Sequence, residues 1–373
     1  MKSIIQVLPA LNQGGVERGT IEIASALVEA GIPNYVISSG GKMVAELDKL
    51  GVEHITLPVA TKNPFKILLN AGKLSKIFKE KEAGLIHVRS RAPAWSVRLA
   101  SQKTNIPFIA SYHGVYGIKP AIKKLYNQVM LQGEKVIAVS EHVKRHILKN
   151  YSCSEDKIIV IHRGADVKKF NPDLVTPQKT AALRQQYHIP EGKKVITLVG
   201  RLTAWKGQKV LLEACQKMQH KDFVCLLVGS DQGRIEYHQE LEKIAQGLKQ
   251  EVIFVDACQD MPTLYALSDV VVSPSLEPEA FGRVITEAQA MKRIVVASAH
   301  GGACESIQNG ISGFLTPVGD AVALAEILDK VLNMTLAEQG QIQNQAYNSV
   351  HAHFTIQKMC EKTLALYKEI LKD

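Results

Sequence analysis

Val195-Ile196-Thr197-Leu198-Val199-Gly200-Arg201-Leu202-Thr203-Ala204-Trp205-Lys206-Gly207 runs from a short β-branched apolar segment into a loop with two cations five residues apart. The apolar segment reads as a buried strand and the stretch beyond Gly207 as a helix, so the loop is a strand-to-helix turn. Arginine forks onto two oxygens and lysine acts as a point charge, a combination suited to a diphosphate. If a bond to that diphosphate breaks, the same cations stabilise the departing negative charge. Two solvated surface charges are the bland alternative; the flanking glycines and Trp205 weigh against it.

The same rhythm extends both ways from this loop. Downstream strands are expected at 224–228, 252–255, 270–273, 294–297 and 313–316. Upstream they are expected at 3–8, 35–38, 54–57, 84–88, 108–111, 135–139 and 158–161, with amphipathic stretches such as 17–30, 65–81, 94–103 and 141–150 between them. This alternation calls for mostly parallel sheets covered by helices on both faces. The expected fold class is α/β, with two doubly wound Rossmann-like domains and a cleft between them; ligands bind beyond the carboxyl ends of such strands. A polar stretch near 166–190, punctuated by Pro172, Pro177 and Pro190, reads as the linker. The domains are then 1–175 and 176–353, and the closing helix, about residues 354–373, is a candidate to pack back on the first.

Bulk composition agrees with this division. At 373 residues the chain exceeds one ordinary core. A hydrophobic share of 46% with 22% charged residues is that of a soluble globular protein, and no apolar stretch approaches the ~20 residues of a membrane span. The opening run 3–8 is too short for a signal peptide and leads to no small-residue cleavage site. Six scattered cysteines without a C-x-x-C pair argue for a reducing cytoplasm and against a disulfide framework or zinc site. Residues 1–175 hold 25 Lys+Arg against 14 Asp+Glu, while the remainder holds 20 against 22. The net charge of +9 therefore belongs to the first half, which is expected to meet an acidic partner. No recognised nucleic-acid module accompanies it, and nucleic acid is not an expected partner.

Two further segments carry chemistry. Asn12-Gln13-Gly14-Gly15-Val16-Glu17-Arg18 follows the first strand and opens a helix, where adjacent glycines let backbone amides approach an anion; a tight turn explains it about as well. Pro274-Ser275-Leu276-Glu277-Pro278-Glu279-Ala280-Phe281-Gly282-Arg283-Val284-Ile285-Thr286-Glu287 leads from a buried strand into a helix. Glu279 and Glu287 are about two helical turns apart and share a face if the helix begins at once. A carboxylate accepts paired hydrogen bonds from vicinal sugar hydroxyls, and amides near 281–284 suit a phosphate. Helix-start acids favoured by the macrodipole would explain Glu279 but not the Phe-Gly insertion.

On these residues the chain resembles the retaining GT-B glycosyltransferases of family 4. The resemblance rests on the 200–207 loop, Glu279-x7-Glu287, Gly14-Gly15, His113-Gly114, and Gly301-Gly302-Ala303-Cys304-Glu305 followed by Asn309-Gly310, in family order over nearly the whole chain. It implies a catalytic set of His113, Arg201, Lys206 and Glu279. Arg201 and Lys206 would bind the donor diphosphate, Glu287 the nucleotide ribose and Glu279 a donor-sugar hydroxyl. Backbone at Phe281, Gly282, Arg283 and Val284 would contact sugar and phosphate, and the 256–260 loop, with Asp256 and Cys258, would frame the base. Gly14 and Gly15 would face the diphosphate, with His113 near the reacting sugar. The co-substrate would be a UDP- or GDP-linked sugar, with no further cofactor and no obligatory metal.

Arg163 stands where the family usually has asparagine, and Arg89-Ser90-Arg91 adds two cations after the 84–88 strand. The segments 14–18, 87–95 and 112–114 look like those of lipopolysaccharide-core sugar transferases, mannosyltransferases among them. This narrower resemblance implies an acidic glycolipid acceptor, phosphorylated or Kdo-containing, met by Glu17, Arg18, Arg89, Arg91 and Arg163. Two basic stretches, 62–81 and 119–130, interleave lysines with apolar residues and suit a peripheral site on the anionic cytoplasmic membrane face. The more ordinary expectation for either is an apolar stripe turned into the core. Other readings remain open: a nucleotide-sugar epimerase or a phosphorylase on the same architecture, or a nucleotide-binding membrane-associated protein without turnover.

Overall fold

A computed structural model describes residues 2–12 and 14–372. The chain divides into two compact units, one of residues 1–163 with 357–373 and one of residues 164–356. In the first, β1 (Ser3–Val7), β2 (Asn34–Ser38), β3 (Glu53–Thr56), β4 (Ala83–Val88), β5 (Phe108–Tyr112), β6 (Val136–Ala138) and β7 (Ile158–Val160) form one sheet in the order β3-β2-β1-β4-β5-β6-β7. In the second, β8 (Lys194–Val199), β9 (Phe223–Val228), β10 (Glu251–Val255), β11 (Val270–Ser273), β12 (Ile294–Ser298) and β13 (Phe314–Thr316) follow the order β10-β9-β8-β11-β12-β13. The pairings in both sheets are parallel. Both faces of a parallel sheet are covered, which is why β1, β4 and β9 are buried along their whole length and mostly apolar, with Ser3, Gln6 and His87 the polar positions.

Strand order reverses between β1 and β4 in one unit and between β8 and β11 in the other. Loops leaving the strands on either side of such a point diverge and leave room for a ligand. The loops at these two points hold Gly14-Gly15, Arg89–Arg91, 200–207 and 274–282, the segments to which the sequence assigns chemistry.

The units part after Arg163, twelve residues before the expected boundary at 175. The reason is local packing within the second unit. The amide of Ala165 donates to the Phe354 carbonyl (2.8 Å), that of Ile356 donates to the Ala165 carbonyl (3.0 Å), and Phe170 packs on Tyr265. Nor is the expected linker an extended strap. Pro177–Gln186 is a helix whose cap, Thr176, accepts from the Lys179 amide; Pro177 occupies a first-turn position, where its missing N–H costs nothing. Leu183 anchors this helix in a cluster with Val195, Val224 and Leu264. The closing helix, Ile356–Leu371, packs on the first unit: the Tyr367 hydroxyl meets His87 Nδ1, and His87 Nε2 meets Ser111 Oγ at 2.6 Å, all in the interior.

Gly207 lets the loops after β8 and β11 close on each other. It has φ +76°, and a Cβ there would lie 2.0 Å from the Pro274 carbonyl oxygen. Gly192 shares the backbone conformation (φ +78°) but faces open space. Gly192→Ala is therefore expected to cost about 1–2 kcal/mol, the left-handed backbone penalty alone. Gly207→Ala should cost clearly more in urea unfolding, because the Pro274 backbone must move; equal losses would mean that the close approach constrains nothing.

Candidate active site

In the second unit the loop after β8 passes through a single 3-10 turn, Ala204–Lys206, and enters the helix Gln208–Lys217. The turn aims Lys206 across the sheet end. Its Nζ lies 4.5 Å from the Trp205 ring centroid and 2.8 Å from Glu279 Oε1, with only 12% and 20% of the two side chains exposed. Glu279 Oε1 also accepts from Ser275 Oγ (2.8 Å) and, at 3.4 Å, from Ser273 Oγ. The Leu276 amide bonds the Trp205 carbonyl (2.6 Å), and the Gly302 amide bonds that of Glu279 (2.9 Å). Arg201 is exposed, with Nη1 3.4 Å from Gln232 Oε1, and the loop of 233–237 borders a cavity of about 710 Å³ against Thr203, Ala204 and Trp205.

The helix after β11 spans Arg283–Ala290, four residues later than a shared face for Glu279 and Glu287 requires. Gly282 (φ +86°) turns the chain into it and provides no side-chain cap, leaving first-turn amides for other acceptors. Glu279 therefore belongs to the loop with Lys206, whereas Glu287 lies within the helix. The Glu287 carboxylate takes a hydrogen bond from Tyr265 OH (3.2 Å) and pairs with Arg283 Nη2 (3.1 Å). Burial pushes it above the usual carboxylate range, with Arg283 acting in the opposite direction. The Phe281 side chain is buried beside Phe354, so backbone is what this residue offers a ligand. Val284 is half-buried, Asp256 is exposed, and the Cys258 thiol is engaged with Tyr187.

In the first unit the structure gathers Gly15, His113, Arg163 and Arg89. Arg163 donates through Nη2 to the Gly15 carbonyl and through Nη1 to His113 Nδ1 at 3.5 Å. Arg89 donates to Gln6 Oε1 at 2.8 Å. Both guanidinium groups press on the helix Gly15–Glu29 where a side chain at Gly19 would stand: a Cβ there would be 2.9 Å from Arg163 Nη2 and 3.1 Å from Arg89 Nη2. Arg89 is only 3% exposed and braces the sheet end from within. Arg91 lies 4.1 Å from the Tyr116 ring and bonds Asn127 Oδ1, and Arg18 forks onto Glu46. Glu17 folds back over Gly14. Ser273, Ser275, Tyr265 and Gln232 carry no signal in the sequence: Ser275 lies within the 274–287 motif and Ser273 just before it without distinguishing chemistry, and the other two come from other elements.

The family model "Glycosyl transferases group 1" matches residues 179–349, and "Glycosyltransferase Family 4" matches residues 13–169. A solved glycosyltransferase from Rickettsia africae ESF-5 is 43% identical, with 100% of this chain and 99% of that one covered at a TM-score of 0.94. The chain belongs to the GT-B glycosyltransferases. It is thereby a transferase enzyme. HepE from Anabaena, solved in complex with UDP, shares the fold at 24% identity and a TM-score of 0.88, covering 99% of this chain and 100% of that one. A D-inositol 3-phosphate glycosyltransferase of Corynebacterium diphtheriae is 28% identical over 250 residues, 61% of this chain and 58% of the relative.

In this glycosyltransferase the protonation of His113 follows from its neighbours. Burial first, then the charges of Arg89 and Arg163 and the nearby His87, hold its pKa well below the ordinary histidine value. A guanidinium only donates, so Nδ1 accepts and the proton of the neutral ring lies on Nε2, an atom buried without a hydrogen-bond partner among the described residues. Nitrogen-detected NMR should find the Nε2–H tautomer, with protonation only well below the ordinary histidine range. Arg163→Met should release the tautomer and lower turnover, and Arg163→Lys should restore part of both. A proton on Nδ1 of the unaltered protein would contradict this assignment.

Proposed function

We propose that this glycosyltransferase moves a hexose from a UDP- or GDP-linked donor, held by the second unit, to an acidic, lipid-linked acceptor engaged by the first. The setting is lipopolysaccharide-core or related cell-envelope glycan synthesis at the cytoplasmic face. The observation that carries the reading is the juxtaposition of Lys206 and Glu279 at the β8/β11 switch point: a cation for phosphate beside a carboxylate for sugar hydroxyls. The UDP bound in HepE supports a nucleotide-linked donor, and the phosphorylated acceptor in the name of the Corynebacterium relative is in keeping with an acidic one. An acceptor hydroxyl attacks the anomeric carbon, the bond from that carbon to the diphosphate oxygen breaks, and the nucleoside diphosphate leaves with the bonding pair and takes the hydroxyl proton onto its departing oxygen. Lys206 and Arg201 stabilise the charge that grows on it. Glu279 orients the sugar, Glu287 accepts from the ribose, first-turn amides at Arg283 and Val284 meet phosphate, and His113 Nε2–H donates to the transferring sugar. Retention of configuration is part of the proposal. No step needs a group beyond the donor and these side chains.

The decisive experiment is release of nucleoside diphosphate from a panel of UDP- and GDP-sugars, with and without a truncated lipid A–Kdo acceptor. Release from one donor that depends strictly on acceptor supports the reading. Donor conversion without acceptor would indicate an epimerase, and binding without turnover would end the catalytic claim. Lys206→Ala should lower kcat about 100- to 1,000-fold, as does removal of one transition-state donor elsewhere, and Arg201→Ala should act in the same direction; unchanged kcat in both would remove their role. Because burial raises the Glu287 pKa, its accepting, ionised form is lost on acidification. Donor affinity should fall as pH drops through that raised value, and Glu287→Gln should flatten this limb in calorimetric titrations.

A further inference from the structure

The helix Pro64–Glu80 buries Ala71, Leu74 and Phe78 on one side, yet its first half carries Phe65, Leu68 and Leu69 outward, 82%, 60% and 61% exposed. The short helix Ala121–Asn127 does the same with Ile122 and Leu125, 72% and 63% exposed. Neither is the core-facing stripe expected of an ordinary surface helix. Both segments lie against the helix Arg91–Thr104 of the first unit, tied to consecutive residues of it: Ser96 Oγ donates to the Ile67 carbonyl and Trp95 Nε1 to the Tyr126 carbonyl, both at 3.2 Å. The exposed apolar residues lie within four positions of these anchors.

Lysine is the only charged residue type that accompanies them. Lys62, Lys66, Lys73, Lys76 and Lys79 on one segment and Lys119, Lys123 and Lys124 on the other are interrupted by no Asp or Glu between 62 and 79 or between 115 and 127. Among the described residues, only Lys76 of these eight has a carboxylate partner within ion-pair distance, Glu80 at 3.6 Å. A partner protein's apolar surface would satisfy the five apolar side chains but leave the lysines uncompensated. A sheet of anionic headgroups above hydrocarbon meets both demands at once.

We infer that the outer faces of Pro64–Glu80 and Ala121–Asn127 together form a docking surface for an anionic lipid bilayer, with Phe65, Leu68, Leu69, Ile122 and Leu125 entering the headgroup–acyl boundary and the lysines meeting the phosphates. This deepens the lipid-linked acceptor of the proposed function, but it is measured without donor, acceptor or turnover, so either can fail alone.

The test is flotation of the full chain with phosphatidylcholine vesicles, with and without about one-third phosphatidylglycerol. Binding should require the anionic lipid and weaken with salt. Lys66→Glu with Lys123→Glu and Lys124→Glu should reduce partitioning at least about a hundredfold, at about fivefold per lysine lost. Phe65→Ser with Leu69→Ser and Ile122→Ser should also reduce it while leaving nucleoside diphosphate binding and the thermal transition unchanged, because these side chains stand in solvent. A chain that stays unbound beside anionic vesicles overturns the inference. So does equal binding by both variants, or self-association through these helices, seen by light scattering, in place of lipid binding.

Discussion

The Lys206–Glu279 pair joins the loops that leave the paired strands β8 and β11. Such a pair, largely withdrawn from water, costs less when neighbouring groups support it, and several do so here. Ser275 and Ser273 donate to the carboxylate, and the Trp205 ring lies against the ammonium. Much of the surrounding backbone serves that closeness. Gly207 admits the Pro274 carbonyl, the Leu276 amide reaches the Trp205 carbonyl, and Gly301 and Gly302 lie so near Glu279 and Phe281 that no side chain fits between them. The pair thus fixes where the cation proposed for phosphate and the carboxylate proposed for sugar stand relative to each other before any ligand arrives, which is how preorganised charge contributes to catalysis.

The first unit meets the opposite problem, an excess of buried positive charge. Arg89 and Arg163 are 3% and 7% exposed. Arg89 donates to Gln6 Oε1, with the charge of Glu22 acting on it, and Arg163 donates to the Gly15 carbonyl. A protonated His113 would add a third cation to this group, so the ring stays neutral. The same unit carries the chain's basic excess on its outside, in lysines that burial never constrains. Interior arginines at the sheet end and exterior lysines in solvent are different answers to one composition.

Each expected strand corresponds to one in the structure because parallel strands buried on both faces must be apolar at nearly every position, a pattern that survives without tertiary information. The 200–207 and 274–287 segments were equally legible, since a glycine forced by a neighbouring backbone and a cation aimed from a turn both leave residue signatures. What sequence left hidden depended on side-chain direction. Arg89 and Arg91 look alike two positions apart, yet one turns under the sheet end and the other lies over Tyr116. Tyr265 reaches Glu287 from another helix, and nothing in its own neighbourhood announces it. Pro177 read as a breaker because proline's meaning reverses at a helix start. The helix after β11 began late because Gly282, and not Glu279, makes the turn.

If the ion pair is the unit on which the donor site is built, its two members must act together. A double-mutant cycle of Lys206→Ala, Glu279→Gln and the combined variant, read out as nucleotide-sugar affinity by calorimetry, tests this most directly. Coupling of about 0.5–3 kcal/mol, the range for residues in direct contact, with the double loss smaller than the sum of the single ones, is the expected result. Strictly additive losses would contradict it, and would mean that cation and carboxylate meet in this fold without forming one site.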